Sequence, residues 1–584
     1  MPRPPRPAPL AAALALLAAP LAPLAAQAPR VSKDAPPSAA APAEAPLKLA
    51  PRPTSTPVSA ADLMTRVYLY ADDSLMGRQV GSVWNDRATD YIARELQRLG
   101  LEPAGENGTF FQAAVQRRAL APSSAFGAEG APLVLGRDFL PRDPLSPTRP
   151  FDGLPTVYAG TWGDAALLGG DAVAGKVVVL TTPLDAAGRP TWNNLRIPIA
   201  RQFAGAAAVV VAALDGIPDE FRQQLLQPGV GVRGQVDAAV AAQGGAAQPA
   251  FVWVTREAAG ALLGAPLAGA RPGAAGRTVR GAIAFETQPA PGRNVVAVLR
   301  GSDPALRNTY VAVGAHNDHV GFDPQPVDHD SLRAVLTVTR PGGADSPERP
   351  VTPEEVARIR RMIDSARALR PARPDSIYNG ADDDASGSMA LLEIAEAFAG
   401  APAKPKRSLL FVWHTGEEAG LFGAQYFTDN PTVPRDSIVA QLNVDMIGRG
   451  TQDDLSQGGP AYVQLIGSRR LSQELGALVE AVGGAARPTP FRFDFTYDAN
   501  GHPEQYYCRS DHYMYARYGI PVVFFSTGGH RDYHMVTDEP QYIAYPKLAA
   551  VTQLIHDVAA RVANLDRRPA LSGPRPDPRG QCVQ

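Results

Sequence analysis

Cysteine is nearly absent: Cys508 and Cys582 are the only two in 584 residues. Two thiols make neither a disulfide framework nor a thiolate zinc site, so any bound metal must be held by His, Asp and Glu. Whether the pair is bridged stays open at this point. Excess charge of one sign is also missing, with 56 Lys+Arg against 58 Asp+Glu and a formal charge of −2. That balance leaves no basic footprint for nucleic acid and no acidic tail. Beyond the N-terminal segment no apolar run is long enough to span a bilayer, which argues against stable membrane insertion. What the chain does have is length: 584 residues exceed what one hydrophobic core serves, so two or more domains are expected. Its 45% hydrophobic and 20% charged composition is that of a globular protein.

Residues 1–28 read as a cleaved secretory signal. Arg3 and Arg6 form a positive region, Leu10 to Leu24 an Ala/Leu-rich run broken by Pro20 and Pro23, and small residues gather at Ala25, Ala26 and Ala28. Cleavage after Ala26 or Ala28 would send the protein out of the cell or into a periplasm. Residues 29–59 are Pro, Ala and Ser, too poor in large apolar groups to fold, and read as a disordered linker. From residue 60 helical spacing begins, in AADLMTRVYLYADD and NDRATDYIARELQRLGL. Residues 122–289 change texture. Short β-like runs (176–180, 207–214, 250–254) alternate with Gly-rich turns and carry no cluster of histidine and acid, which reads as a separate β-rich α/β module.

From Arg293 strands and helices alternate. NVVAVL, TYVAVGA, SLLFVWH, IVAQLNV and PVVFFS are continuous apolar runs, as strands buried on both faces require. The fold class expected is α/β, with a mixed, largely parallel central sheet flanked by helices. SGSMALLEIAEAFA places Leu391, Ile394, Ala395 and Phe398 on one helical face. Residues 323–375 interrupt the order as a polar insert with one helix, PEEVARIRRMIDSARAL, whose Arg-rich face reads as solvated. Residues 566–584 read as a flexible tail.

The acids and histidines fall at the ends of these strands. The first runs into His316-Asn317-Asp318, and after the insert comes Asp382-Asp383-Asp384 before a helix. Another runs into Glu417-Glu418, another into Asp445, and the last leads to His530 and His534. Groups beyond the carboxyl ends of strands in an open α/β sheet converge on one crevice. Taken singly, a histidine after a strand is more often packed, and a DDD run can simply cap a helix. Jointly, a cluster of carboxylates without counter-charge calls for divalent metal. Histidine and carboxylate without thiolate suit catalytic zinc, and five ligands serve two ions if one carboxylate bridges.

GAHND, GADDDASG, TGEEAGLFG, NVDMIG and HRDYHMVTD, in that order, resemble the motifs of the M28 family of co-catalytic zinc aminopeptidases. The resemblance covers roughly residues 60–565. It implies a zinc peptidase domain from 60–121 and 290–565, with residues 122–289 as an inserted protease-associated (PA) domain. It implies two Zn2+ ions: His316 and Asp445 on one, Glu418 and His534 on the other, Asp382 bridging. Glu417 matches the general base, which would take a proton from the bridging water and pass it to the leaving amine. Asp318 would accept the second N–H of His316, and Asp538 would orient His534. Asp511, His512 and His530 would line the substrate pocket, with His319 beside them. The 66 positions from His316 to Asp382 exceed the family's usual connection, because the insert lies between them.

The implied function is a secreted di-zinc exopeptidase acting on peptide or protein N-termini. Carboxypeptidase and glutaminyl cyclase share the constellation. The former lacks its usual added helical domain here, and the latter lacks an inserted module. A receptor-like protein without catalysis conflicts with the intact ligand and base positions.

Overall fold

The apolar runs read from the sequence become the middle of a nine-stranded sheet, and the order of those strands gathers the acids and histidines at one edge. The computed structural model describes residues 46–584 except 142–148, 192–198, 200, 201, 204, 227, 228, 234–248, 289, 348 and 581. The expected signal segment and residues 29–45 of the expected linker lie outside the described residues. Packing divides the chain into two units, one of the described residues up to Ala114 with Pro291–Gln584, the other Val115–Ala290.

In the first unit the strands that matter are β1 (Arg293–Leu299), β2 (Tyr310–His316), β3 (Ser408–His414), β4 (Ile438–Val444), β5 (Tyr462–Ile466) and β6 (Val522–Ser526). Their order across the sheet is β1-β3-β2-β4-β6-β5, with β3, β2, β4 and β6 mutually parallel, β1 antiparallel to β3 and β5 antiparallel to β6. Every residue of β2, β3, β4, β5 and β6 is buried, as strands covered on both faces must be. Parallel register sets His316 beside His414 and Gly314 beside Asn443, so the carboxyl ends of β2, β3 and β4 emerge together.

Helices α1 (Ala60–Tyr70), α2 (Val83–Arg98), α5 (Gly387–Gly400) and α6 (Tyr545–Ala563) pack into one core cluster with the sheet. Helix α5 departs from the one-sided face expected of it. Its counter-face is buried too, and Glu393 and Glu396 are satisfied there by Arg66 of α1. The insert holds two helices, α3 (His329–Thr339) and α4 (Pro353–Leu369). Only α4 was expected from the sequence, and in the structure it starts at a Thr352 cap with Pro353 in its first turn and a Thr352/Glu355 capping box. The Arg face of α4 is solvated at Arg358, Arg360 and Arg361, but Arg367 pairs with Asp328 and Asp330.

Two expectations of flexibility are corrected. The end of the expected linker is fastened, because Ser55 donates to Asp62, Thr54 to Glu396 and the Ser59 N–H to Glu393. The expected tail 566–584 is also fastened, since Cys582 is disulfide-bonded to Cys508 and Gln584 hydrogen-bonds to Tyr497, Ala499 and Tyr507.

The second unit is β-rich. Strands Thr156–Thr161, Val177–Thr181, Ala208–Ala212 and Ala250–Val254 run parallel in a five-stranded sheet closed by antiparallel Phe139–Pro141. A four-stranded and a three-stranded sheet complete it, over cores built on Phe139, Val179, Val210 and Trp253. It contains none of the nine histidines. Among the described residues no helix is long and apolar enough to cross a membrane.

Candidate metal centre

The last residue of β2, His316, is 1% exposed, and its Nε2 lies 3.1 Å from Oδ1 of Asp383 and 3.6 Å from Oδ1 of Asp445. On the other side, Nε2 of His534 lies 3.0 Å from Oδ2 of Asp383 and 3.0 Å from Oε2 of Glu418. Asp383 therefore stands between the two imidazoles, one oxygen toward each. The ring nitrogens approach carboxylate oxygens this closely, yet neither His316 Nε2 nor His534 Nε2 makes a hydrogen bond. Buried polar atoms are normally hydrogen-bonded, and donors crowded around a point without bonding one another suit a shared cation. The residues present fit zinc: two imidazoles and the carboxylates of Asp383, Glu418 and Asp445, with no thiolate.

Of the three acids it is Asp383, and not the expected bridge Asp382, that faces both imidazoles. The loop between Gly380 and α5 decides which carboxylate points inward. Asp538 accepts the N–H groups of Asp382 and Asp383 at 3.1–3.2 Å, fixing the loop backbone. Asp382 then turns aside, with Oδ1 accepting the Gly448 N–H at 2.6 Å and Oδ2 3.4 Å from His530. Asp384 performs the bland role considered for the whole run. It accepts the N–H of Gly387 at the start of α5, and those of Met446 and His316. One of three consecutive acids faces both imidazoles, one caps, and one braces the loop.

The other expected positions divide as follows. Asp445 is held by Ser510, whose Oγ donates to Oδ2 at 2.7 Å. Nδ1 of His316 meets the backbone carbonyl of Asp318 at 3.1 Å, with Oδ1 of its carboxylate 3.8 Å away. The Asp318 carboxylate instead accepts the Glu417 N–H at 3.1 Å, so it positions the expected base. Asp538 braces the Asp382–Asp383 backbone instead of orienting His534. His512 is buried against Phe524 and Tyr507, with no polar contact toward the cluster. His530 is fully buried, and its Nδ1 accepts the Asp532 N–H at 3.2 Å. Burial pushes the pKa of both rings down to about 3. Asp511 is 1% exposed, with Oδ2 3.3 Å from Nδ1 of His414. His319, first set among the pocket residues, belongs to the cluster: its Nδ1 is 2.6 Å from Oε1 of Glu418.

The electrostatics mark the same place. Burial lowers the pKa of His534, but Glu418 and Asp383 outweigh it and raise it to about 10. Burial raises Glu418, as does Asp383, yet His534 and His319 bring it down to about 2. Burial pushes Glu417 well above its ordinary value, with Glu418, Asp445 and Asp511 adding to the shift against His316. Burial also raises Asp318 to about 7. A second gathering, of His329, Asp375 and Glu539, differs in kind. There both nitrogens of His329 are hydrogen-bonded, to Asp375 and to Tyr542.

Residues 294–559 match the model of peptidase family M28. That segment belongs to peptidase family M28. Among curated relatives, the leupeptin-inactivating enzyme 1 of Streptomyces exfoliatus is 43% identical over 77 residues, 13% of this chain and 18% of that protein. A probable leucine aminopeptidase of Trichophyton verrucosum (strain HKI 0517) is 30% identical over 134 residues, 22% of this chain and 34% of that protein. The chain thus spans about a fifth to a third of the length of these relatives. The solved aminopeptidase from Aneurinibacillus sp. strain AM-1 aligns at 17% identity, over 88% of this chain and 95% of that one, with a TM-score of 0.42.

Proposed function

We propose that the chain is an exported di-zinc exopeptidase, an aminopeptidase that removes residues from peptide N-termini. The observation that carries the reading is Asp383, whose two oxygens lie 3.1 and 3.0 Å from two ring nitrogens that no hydrogen bond satisfies. His316 and Asp445 would hold one ion, His534 and Glu418 the other, with Asp383 shared. When bound, such a pair supplies a water of lowered pKa and a polarised scissile carbonyl. Glu417, fixed at its backbone by Asp318, would accept that water's proton on a carboxylate oxygen and hand it to the leaving amine. Asp511 adds negative charge beside the base.

The N-terminal choice draws on the relatives named leucine aminopeptidase. Export draws on the Ala/Leu-rich leader and on the Cys508–Cys582 disulfide, which belongs to oxidising compartments. We read Val115–Ala290 as the protease-associated module, on its position before the His316 motif and its lack of histidine. Zinc per chain, measured together with hydrolysis of free and N-acetylated aminoacyl substrates, tests the proposal. Two zinc ions and cleavage of the free substrate alone are expected. Equal cleavage of both substrates would exclude an aminopeptidase, and a chain without bound zinc would exclude the metal centre.

A further inference from the structure

The insert at 323–375 has no part in the metal cluster, yet it holds the loop that presents His534 from both flanks. On the near flank, Nη1 of Arg333 in α3 lies 2.8 Å from Oδ2 of Asp532. Arg340 donates to the Arg531 carbonyl at 3.2 Å, and the Ala344 N–H donates to the Gly529 carbonyl at 2.9 Å. On the far flank, Nε2 of His329 meets the Tyr542 hydroxyl at 3.2 Å. The Arg333 guanidinium also lies 3.4 Å over the Tyr542 ring, so one side chain touches both flanks.

Asp532 is the point where this hold reaches the site. It is fully buried, and Oδ2 takes both Arg333 and Arg449, the latter at 2.9 Å. Oδ1 accepts the Thr537 hydroxyl at 2.8 Å, so the carboxylate ties together the two sides of the turn that contains His534. His534 itself sits at φ 55°, a left-handed conformation that costs a non-glycine residue of the order of 1 kcal/mol or more. Such a residue persists only where its surroundings over-determine it. The Asp532–Thr537 tie and the cations on Asp532 supply that constraint. The insert's own frame is rigid, because Arg367, Arg370 and Arg373 converge on Asp330.

We infer that the insert is a positioning element for the metal centre, acting through Arg333 on Asp532 to hold His534 in ligating position. The inference rests on His534 being a zinc ligand, so its test separates the two claims. Zinc dissociation constants of the full chain are measured by chelator competition for wild type, Arg333→Met, Arg333→Lys and His534→Ala, alongside thermal melting of the metal-free forms. Groups that orient a metal ligand typically change affinity by about 10–100-fold. Arg333→Met is therefore expected to weaken the zinc that His534→Ala releases by about 10-fold or more, with the other zinc unchanged. Arg333→Lys should recover part of the loss. Because Arg449 and Thr537 still satisfy Asp532, the metal-free variant should melt close to wild type. Arg333→Gln substitutes where Arg333→Met does not fold. Lowered melting with unchanged zinc affinity would overturn the inference and leave Arg333 a purely structural residue. If His534→Ala retains all its zinc, the ligand assignment fails instead.

Discussion

The carboxylate of Asp538 accepts the backbone N–H of Asp383 at 3.2 Å, four residues after the histidine that Asp383 faces from the other side. The same carboxylate also takes the N–H of Asp382, so one buried acid sets the direction of two others. Asp383→Asn and Asp382→Asn therefore separate the bridging site from its neighbour. Asp383→Asn replaces one of its two oxygens with an amide NH2, so one imidazole loses its carboxylate partner, and it should cost more than the 10–100-fold in zinc affinity typical of supporting groups. Asp382→Asn keeps every contact at the cluster and should stay within that lower range. Zinc retained after gel filtration reads the difference, and the reverse order would restore Asp382 as the bridge.

Glu417 differs from its neighbour Glu418 in having no imidazole within ion-pair distance among the described contacts. Its Gln variant should bind zinc normally and lose about 10²–10⁴-fold in kcat, the usual contribution of a positioned proton acceptor. Asp318→Asn weakens the hold on the Glu417 backbone and should lower kcat less than Glu417→Gln does. Steady-state kinetics on metal-loaded protein decide the matter. A Glu417→Gln enzyme within a few-fold of wild type would mean that another group carries the proton.

Arg66 is fully buried, with Glu393 and Glu95 each at 3.1 Å and Glu396 also paired to it. Removing it in Arg66→Met leaves buried Glu393 without a cation, while Glu396 keeps Arg98, and should destabilise by about 3–5 kcal/mol, measured by urea unfolding. The pH dependence has a defined sign. Burial outweighs Arg66 and raises Glu393 from 4.5 to about 7. Between those values the folded chain holds a proton that the unfolded chain has lost. Glu393 therefore lowers stability as pH rises through that window. Glu393→Gln should flatten the slope of stability between pH 4.5 and 7, and an unchanged slope would place the titration elsewhere.

The strands were legible because runs buried on both faces have no competing pattern. TYVAVGA, SLLFVWH and IVAQLNV all lie in the sheet core. Which member of Asp382-Asp383-Asp384 faces inward was not legible, because it depends on a long-range contact from Asp538. Helix α3 was missed because its buried residues, among them His329 and Asp330, break the apolar pattern. Asp330 satisfies three arginines from α4 and the segment after it, and no local spacing encodes that. His512 and His530 stood in the right motifs, and spacing alone did not show that both rings are fully buried.

The disulfide gives the last test, because it fastens a segment whose composition reads as unstructured. Cys508 and Cys582 are 74 residues apart, and closing a loop of that length restricts the unfolded chain by about 4 kcal/mol in the chain-entropy account. Cys582→Ser should lose up to that amount in urea unfolding. The site itself should survive. Ser510, two residues past Cys508, is held by Asn443 at 2.9 Å and by Asp445 at 2.7 Å, both anchored on β4. Zinc content and kcat at 25 °C should then match wild type while the unfolding midpoint falls. A matching loss of zinc would mean that the C-terminal segment supports Asp445 directly, through the strain it places on residues 508–510.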